Sequence, residues 1–155
     1  MIACRFEDGG EAFLRHVVVD TIVIRDGKVL LVKRTKSLLE GGKWGLVGGY
    51  VERDETLQEA VKREVFEEAG WRVIDISLFR IKDKPDRPNE DRQNIAFVFI
   101  CTADKEEGKM DWESDEIRWF ALDKIPAKDE LAFDHPEDLN LYMKYLNKEI
   151  SLPLT

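Results

Sequence analysis

GGYVERDETLQEAVKREVFEEAGW, residues 48–71, holds a double glycine, a helix start and three acids destined for one side of that helix. Thr56 with Glu59 three residues on is a capping box, Leu57 to Ala69 contains no Gly or Pro, and Gly70 supplies a stop. The spacing predicts a helix over 57–69. At about 100° per residue, Leu57, Ala60, Val61 and Val65 form its apolar stripe. Glu64 and Glu68 project into that stripe with Glu67 at its margin, while Gln58, Glu59, Lys62 and Arg63 take the outer side. The acids therefore face the body of the protein.

Residues three and four apart on a helix have Cβ atoms about 5–6 Å apart. At an effective dielectric of about 20, unit charges about 6 Å apart repel by roughly 3 kcal/mol, and partial burial adds up to several kcal/mol per ion. Arg63 is the nearest cation in sequence, but it is expected on the other side of the helix, and one Arg does not satisfy three carboxylates. A hard divalent cation with oxygen ligands, Mg²⁺ or Mn²⁺, matches better. The plainer alternative is a surface helix whose acids pair with Lys62 and Arg63; the register against the apolar stripe weakens it.

Upstream, Leu46 and Val47 run into Gly48 and Gly49, then through Tyr50, Val51 and Glu52 to Glu55 and the helix cap. Glycines let a backbone approach a ligand or expose a carbonyl. Gly49, five residues, Glu55, seven residues, then Arg63, Glu64, Val65, Phe66, Glu67, Glu68, Ala69, Gly70 and Trp71 resemble the signature of the Nudix hydrolases. Trp71 is the one departure, standing where the family usually has an aliphatic residue, at a packing position. HVVVDTIVIRDGKVLLVKR (16–34), GGKWGLVGG (41–49) and DEIRWFAL (115–122) look like the flanking strands of the same fold, so the resemblance spans roughly residues 16–146.

The resemblance implies an α/β (α+β) chain, a Nudix-type α/β/α sandwich around a central mixed sheet that carries a catalytic strand–loop–helix motif. Coarse patterning agrees. Apolar β-branched runs at 17–24 and 29–34 flank Arg25-Asp26-Gly27-Lys28, a strand–turn–strand signal. A loop over 35–45 leads to a short strand at Leu46–Val47. Strands are expected at 71–81, 94–102 (central) and 115–120, with a polar loop at 82–93. Pro136 opens an amphipathic helix with Leu139, Tyr142, Met143 and Leu146 on one side. At 155 residues a single domain over 1–155 is expected, its first 15 residues forming an edge hairpin or an interface such as that of a homodimer.

Composition narrows the partners. With 43% hydrophobic and 36% charged residues the chain fits a globular protein rather than disorder. A net charge of −8 repels polyanions, so nucleic acid and anionic membranes are not expected partners. No apolar run reaches spanning length and no signal peptide opens the chain, so a cytoplasmic location is expected. Cys4 and Cys101 have no metal-like spacing and read as free thiols, Cys101 in the core.

For chemistry, the resemblance implies attack of water on the pyrophosphate of a nucleoside diphosphate linked to another moiety, a small-molecule nucleotide substrate. Glu64 and Glu68 match the family's metal-ligating positions, Glu67 shares that shell or contacts metal-bound water, and the Gly48 carbonyl is the expected extra ligand for Mg²⁺ or Mn²⁺. Arg63 and Glu55 pair to orient the motif. Glu52 is either a further acid of the site or a turn residue. The general base is an acid of the motif or of the segment Asp111 to Glu116, where Glu113 and Glu116 are the choices. Substrate contacts are expected from Lys33, Arg34, Trp44, Tyr50 and Trp112, and from Arg87 and Arg92 in the loop that carries Pro85 and Pro88. That loop favours ADP-ribose or a similar nucleoside diphosphate sugar, ahead of a nucleoside triphosphate. A nucleotide-sensing domain without catalysis remains an alternative, although no motif acid is degraded. His16 and His135 read as structural or capping residues.

Overall fold

The computed structural model describes residues 2–85 and 93–152. Its strands are β1 (Ile2–Arg5), β2 (Glu11–Leu14), β3 (Val17–Arg25), β4 (Lys28–Arg34), β5 (Trp44–Gly45), β6 (Val47–Tyr50), β7 (Trp71–Lys82), β8 (Ile95–Glu106) and β9 (Ser114–Ala121). Helix α1 spans Leu57–Ala69 and helix α2 spans His135–Leu146. Among the described residues, strands β3 to β9 form one mixed sheet in which β3 is central and β8, expected there, lies one strand from the edge, parallel to β3 and antiparallel to β7. No helix among the described residues is long and apolar enough to cross a membrane.

β3 and β4 join through Asp26 and Gly27, whose φ values of 49° and 70° suit a tight hairpin turn. They pair only at Ile24 with Val29 and Arg25 with Lys28. Beyond that point the strands part: β6 takes the free edge of β3, and β4 pairs with β5 and β9. This opening leads the chain from the sheet into the glycine turn and α1.

Alternation along β3 explains why the sheet has two cores. Val19 and Val23 face α1 with Ala60, Val61, Val65 and Phe99, while Ile22 faces α2 with Phe79, Leu139 and Tyr142. Trp71 packs edge-on against Trp119, with ring centroids 5.4 Å apart, so the aromatic departure at this position fills core space. Cys101 is buried, which pushes its thiol up to about 12.

α1 begins and ends where the spacing predicts. Thr56 and Glu59 form the reciprocal capping box, and Gly70 adopts the left-handed conformation at φ 72° that closes the helix. α2 departs from expectation. Leu139 and Tyr142 are buried, but Leu146 is 46% exposed, and Leu141 and Tyr145 pack against the core instead. The inner face runs through 135, 138, 139, 142 and 145, with Asp138 fully buried on it and held by Lys82 and Arg80.

The first residues form a hairpin whose two strands make their own sheet, β1 with β2, separate from the main one. Its turn is closed by the Phe6 N–H donating to the Gly10 carbonyl at 2.8 Å.

Candidate active site

The motif's glycines serve close packing. Neither Gly48 nor Gly49 has positive φ; a Cβ on Gly48 would overlap the Val19 carbonyl, and one on Gly49 would overlap the Glu64 carboxylate. Strand β6 thus lies tight against both β3 and the acids of α1. A cavity of about 260 Å³ opens here, lined by Gly48, Gly49, Tyr50, Arg63 and Glu64 together with Asp20, Asn94, Phe133 and His135.

Glu64 and Glu68 are 9% and 5% exposed, so the helical register places both where the stripe predicts, and Glu67 stands at the margin with its side chain 51% exposed. Arg63 corrects the reading that it projects away. Its Nη1 donates to Glu64 Oε1 at 2.8 Å and Glu67 Oε2 at 3.2 Å, while Nε and Nη2 donate to the two Glu55 oxygens at 3.0 and 2.7 Å. Nη2 also donates to the Tyr50 carbonyl at 2.9 Å. A long arm and a planar fork let one guanidinium return across the helix and tie turn, cap and acids together.

Arg63 does not reach Glu68. Among the described residues no hydrogen bond or ion pair to the Glu68 carboxylate forms. Desolvation first, then the charges of Glu64, Glu113 and Asp111, push it well above the usual carboxylate range, against a smaller pull from Arg34. Burial likewise raises Glu64, opposed by Arg63. Glu55 is held below the usual range by its Arg63 hydrogen bonds.

These oxygens fit a hard divalent cation in chemistry: clustered carboxylates short of positive charge, at a cavity that Gly48 also lines. They do not yet converge. Among the described residues no three His, Cys, Asp or Glu side chains stand close enough together to hold an ion, because Arg63 engages Glu64 and Glu67. An ion placed at these oxygens would compete with the guanidinium for them.

Glu113 lines the same cavity, its backbone held by the Asp111 carboxylate at 2.9 Å and by the Thr35 N–H at 2.9 Å. Glu116 does not join it. It sits three residues later on β9, opposite Lys33 of β4, and pairs with Arg118 on its own strand. Arg34 lines the cavity with its guanidinium 5.0 Å over the Phe133 ring and its Nε donating to the Leu39 carbonyl. Tyr50 lines it too, 43% exposed and 5.0 Å from the His16 ring. Glu52 is at the rim, its N–H donating to Glu55 Oε1.

Trp44 corrects the expectation of a stacking surface. It is 7% exposed, packs edge-on against Phe120 in the α2-side core, and is covered by Lys33 and Arg118 at 5.7 and 5.1 Å. Lys33 is thereby spent on the Trp44 ring rather than on the cavity. Trp112 is 69% exposed in the loop before Glu113. Arg87, Arg92 and Pro88 lie outside the described residues.

Sequence reasoning missed Asp20, Asn94 and Phe133 in the lining, and it gave His135 only a structural place. Asp20 carried a signal, as a lone acid inside the apolar run of β3; the others come from distant segments.

A NUDIX domain family model matches residues 14–142. The chain is 37% identical over 131 residues to an ADP-ribose pyrophosphatase of Methanocaldococcus jannaschii, covering 84% of this chain and 75% of that one. It is 34% identical over 125 residues to an oxidized purine nucleoside triphosphate hydrolase of Danio rerio, covering 79% and 76%. The crystal structure of a MutT NUDIX hydrolase from Burkholderia pseudomallei matches with a TM-score of 0.70 at 31% identity, over 83% of this chain and 98% of that one. Motif, sandwich and relatives agree, and the chain belongs to the Nudix family of hydrolases.

Proposed function

We propose that this hydrolase cleaves the pyrophosphate of ADP-ribose or a similar nucleoside diphosphate sugar, using Mg²⁺ or Mn²⁺ held by Glu64, Glu67, Glu68 and the Gly48 carbonyl. The observation that carries the metal is the buried Glu68 carboxylate, pressed by three other acids and reached by no ion pair among the described residues. The similarity to the archaeal ADP-ribose pyrophosphatase supports the substrate class.

A bound divalent ion would neutralise the polyanion and stabilise the leaving phosphate. The chain's own residues do the rest. Arg63 and Glu55 lock the glycine turn to α1. Glu113, anchored at its backbone nitrogen and oxygen, takes the proton of the attacking water. Arg34 spends only Nε on Leu39 and offers its terminal nitrogens to a phosphate. Tyr50 supplies an aromatic rim. A homodimer belongs to the same reading, with the exposed Ile2 and Leu14, paired on one face of the hairpin, at the contact.

The second reading is a nucleoside triphosphate pyrophosphohydrolase, favoured by the similarity to the Danio rerio enzyme. Incubation with Mg²⁺ or Mn²⁺ and a panel of ADP-ribose, nucleoside diphosphate sugars, dinucleoside polyphosphates and (deoxy)nucleoside triphosphates separates them by product. AMP with ribose 5-phosphate supports the first; a nucleoside monophosphate with pyrophosphate supports the second. Turnover of nothing in the panel would favour a sensor.

A further inference from the structure

The chain enters α2 through a turn that puts an aromatic residue where glycine is favoured. The His135 N–H donates to the Ala132 carbonyl at 3.2 Å, which closes a four-residue turn with Phe133 and Asp134 at its centre. Phe133 has a φ of 52°, and Asp134 follows at φ −101° and ψ 12°. A positive φ at the first central position is a glycine position, and a bulky side chain there is strained. The frame on both sides holds the strain in place. The Ala132 N–H donates to the Trp44 carbonyl at 2.8 Å, and His135 Nδ1 accepts from the Leu46 N–H at 3.0 Å. Strain kept by a fixed frame at a cavity wall points to a side chain that is needed there.

The contacts of the ring show what it serves. The Arg34 guanidinium carbon lies over the Phe133 ring at 5.0 Å, and both residues line the cavity. Arg34 ends β4, where the pairing with β9 shifts between Lys33 and Arg34 and sets Arg34 opposite Ser114, the neighbour of Glu113. Such irregularities re-aim a side chain. Arg34 Nε donates to the Leu39 carbonyl at 2.9 Å. That bond fixes the direction of the guanidinium within its plane, and the ring fixes the plane. The edge with Nη1 and Nη2 is left for a ligand. In a cavity that Glu64 and Glu113 also line, an unsupported guanidinium would turn onto a carboxylate, as that of Arg63 does.

We propose that Phe133 is a positioning residue for substrate binding: its ring holds the Arg34 guanidinium off the acids of the cavity, with Nη1 and Nη2 turned to a phosphate of the substrate. This rests on the reading of Arg34 as a phosphate ligand. Phe133 itself needs no contact with base or ribose, so it acts on any nucleotide that brings a phosphate to Arg34.

The test measures kcat and KM with Mg²⁺ on ADP-ribose, or on a nucleoside triphosphate if that is the nucleotide cleaved. The proteins are wild type, Phe133→Leu, Phe133→Gly, Arg34→Gln and the double variant Phe133→Leu with Arg34→Gln. Leu loses the ring and keeps the positive φ, whereas Gly loses the ring and relieves the φ. Both are expected to raise KM by about tenfold with kcat changed by less than about twofold, whatever their thermal midpoints. Arg34→Gln should raise KM by about tenfold or more, and in that background Phe133→Leu should add less than about twofold. A wild-type KM in either folded Phe133 variant, KM values that follow the thermal midpoints, or full additivity with Arg34→Gln would overturn the proposal and leave Arg34 as a phosphate ligand. A wild-type KM in Arg34→Gln, or no turnover of either nucleotide by wild-type protein, would overturn the reading of Arg34 and this inference with it.

Discussion

Arg63 Nη1 lies 2.8 Å from Glu64 Oε1, although the two residues are neighbours on a helix. Successive helical side chains diverge by about 100°, so the contact forms only because the guanidinium turns back toward Glu55 and the Tyr50 carbonyl. The same fork then bridges the glycine turn and the helix acids. One guanidinium thus orients Glu64 and does not reach Glu68.

Arg63→Lys tests that bridge. An ammonium cannot serve Glu55 through two parallel bonds and also reach Glu64 and Tyr50. Because the Arg63 side chain is 24% exposed, the loss in stability should be about 2 kcal/mol, below that of a fully buried pair. Activity should fall by roughly 10–100-fold through misplaced acids. Denaturant unfolding and steady-state rates check both; wild-type activity in the variant contradicts the role.

Glu68→Gln should separate stability from activity. Removing a buried charge among like charges is expected to stabilise the metal-free protein by about 1 kcal/mol. Hydrolysis should drop by at least about 10²-fold. A less stable variant would mean that Glu68 has a structural partner.

The two glycines should fail differently. On Gly48 an added Cβ meets the Val19 backbone, which cannot move without disturbing the β3–β6 pair, so Gly48→Ala should cost about 3 kcal/mol. On Gly49 it meets the Glu64 carboxylate, a side chain that can shift. Gly49→Ala should cost only about 1 kcal/mol and still abolish most activity. Thermal midpoints measured beside rates for both variants decide it.

Acid pH should act in opposite directions on stability and rate. Glu64 and Glu68 titrate above their ordinary 4.5 in the folded state, so between that value and their raised values the folded protein holds protons that the unfolded chain has released. Metal-free stability therefore rises as pH falls through this window. Glu55, shifted down, works the other way at lower pH: its contribution is present above the ordinary value and is lost as pH falls through its lowered one. Rate should fall over the upper window as protons displace metal. Thermal midpoints across pH with and without Mg²⁺ show this, and a metal-free midpoint that is flat or falls on acidification contradicts it.

The strand–glycine–helix motif was legible because local signals agreed: cap, stop and apolar stripe all specify one helix and one register for Glu64 and Glu68. Arg63 was misread because periodicity gives the direction of Cβ, while a long three-carbon arm with a forked end can reverse it. Trp44 and Glu116 were misplaced for a related reason. Strand alternation says which face a side chain takes but not whether that face meets the cavity or Phe120 and Arg118. The inner face of α2 includes a buried Asp138, whose partners Lys82 and Arg80 lie more than fifty residues away in sequence. Long-range ion pairs leave no periodic trace, so the meeting of Asp20 and His135 in one cavity appears only in three dimensions.

Binding of Mn²⁺, followed by the electron paramagnetic resonance signal of the free ion, tests the central claim most directly. Wild-type protein should take up Mn²⁺ at the α1 acids, and Glu64→Gln and Glu68→Gln should each weaken binding by roughly tenfold or more while the protein stays folded. Unchanged Mn²⁺ affinity in both folded variants would contradict the assignment of these acids as the metal site.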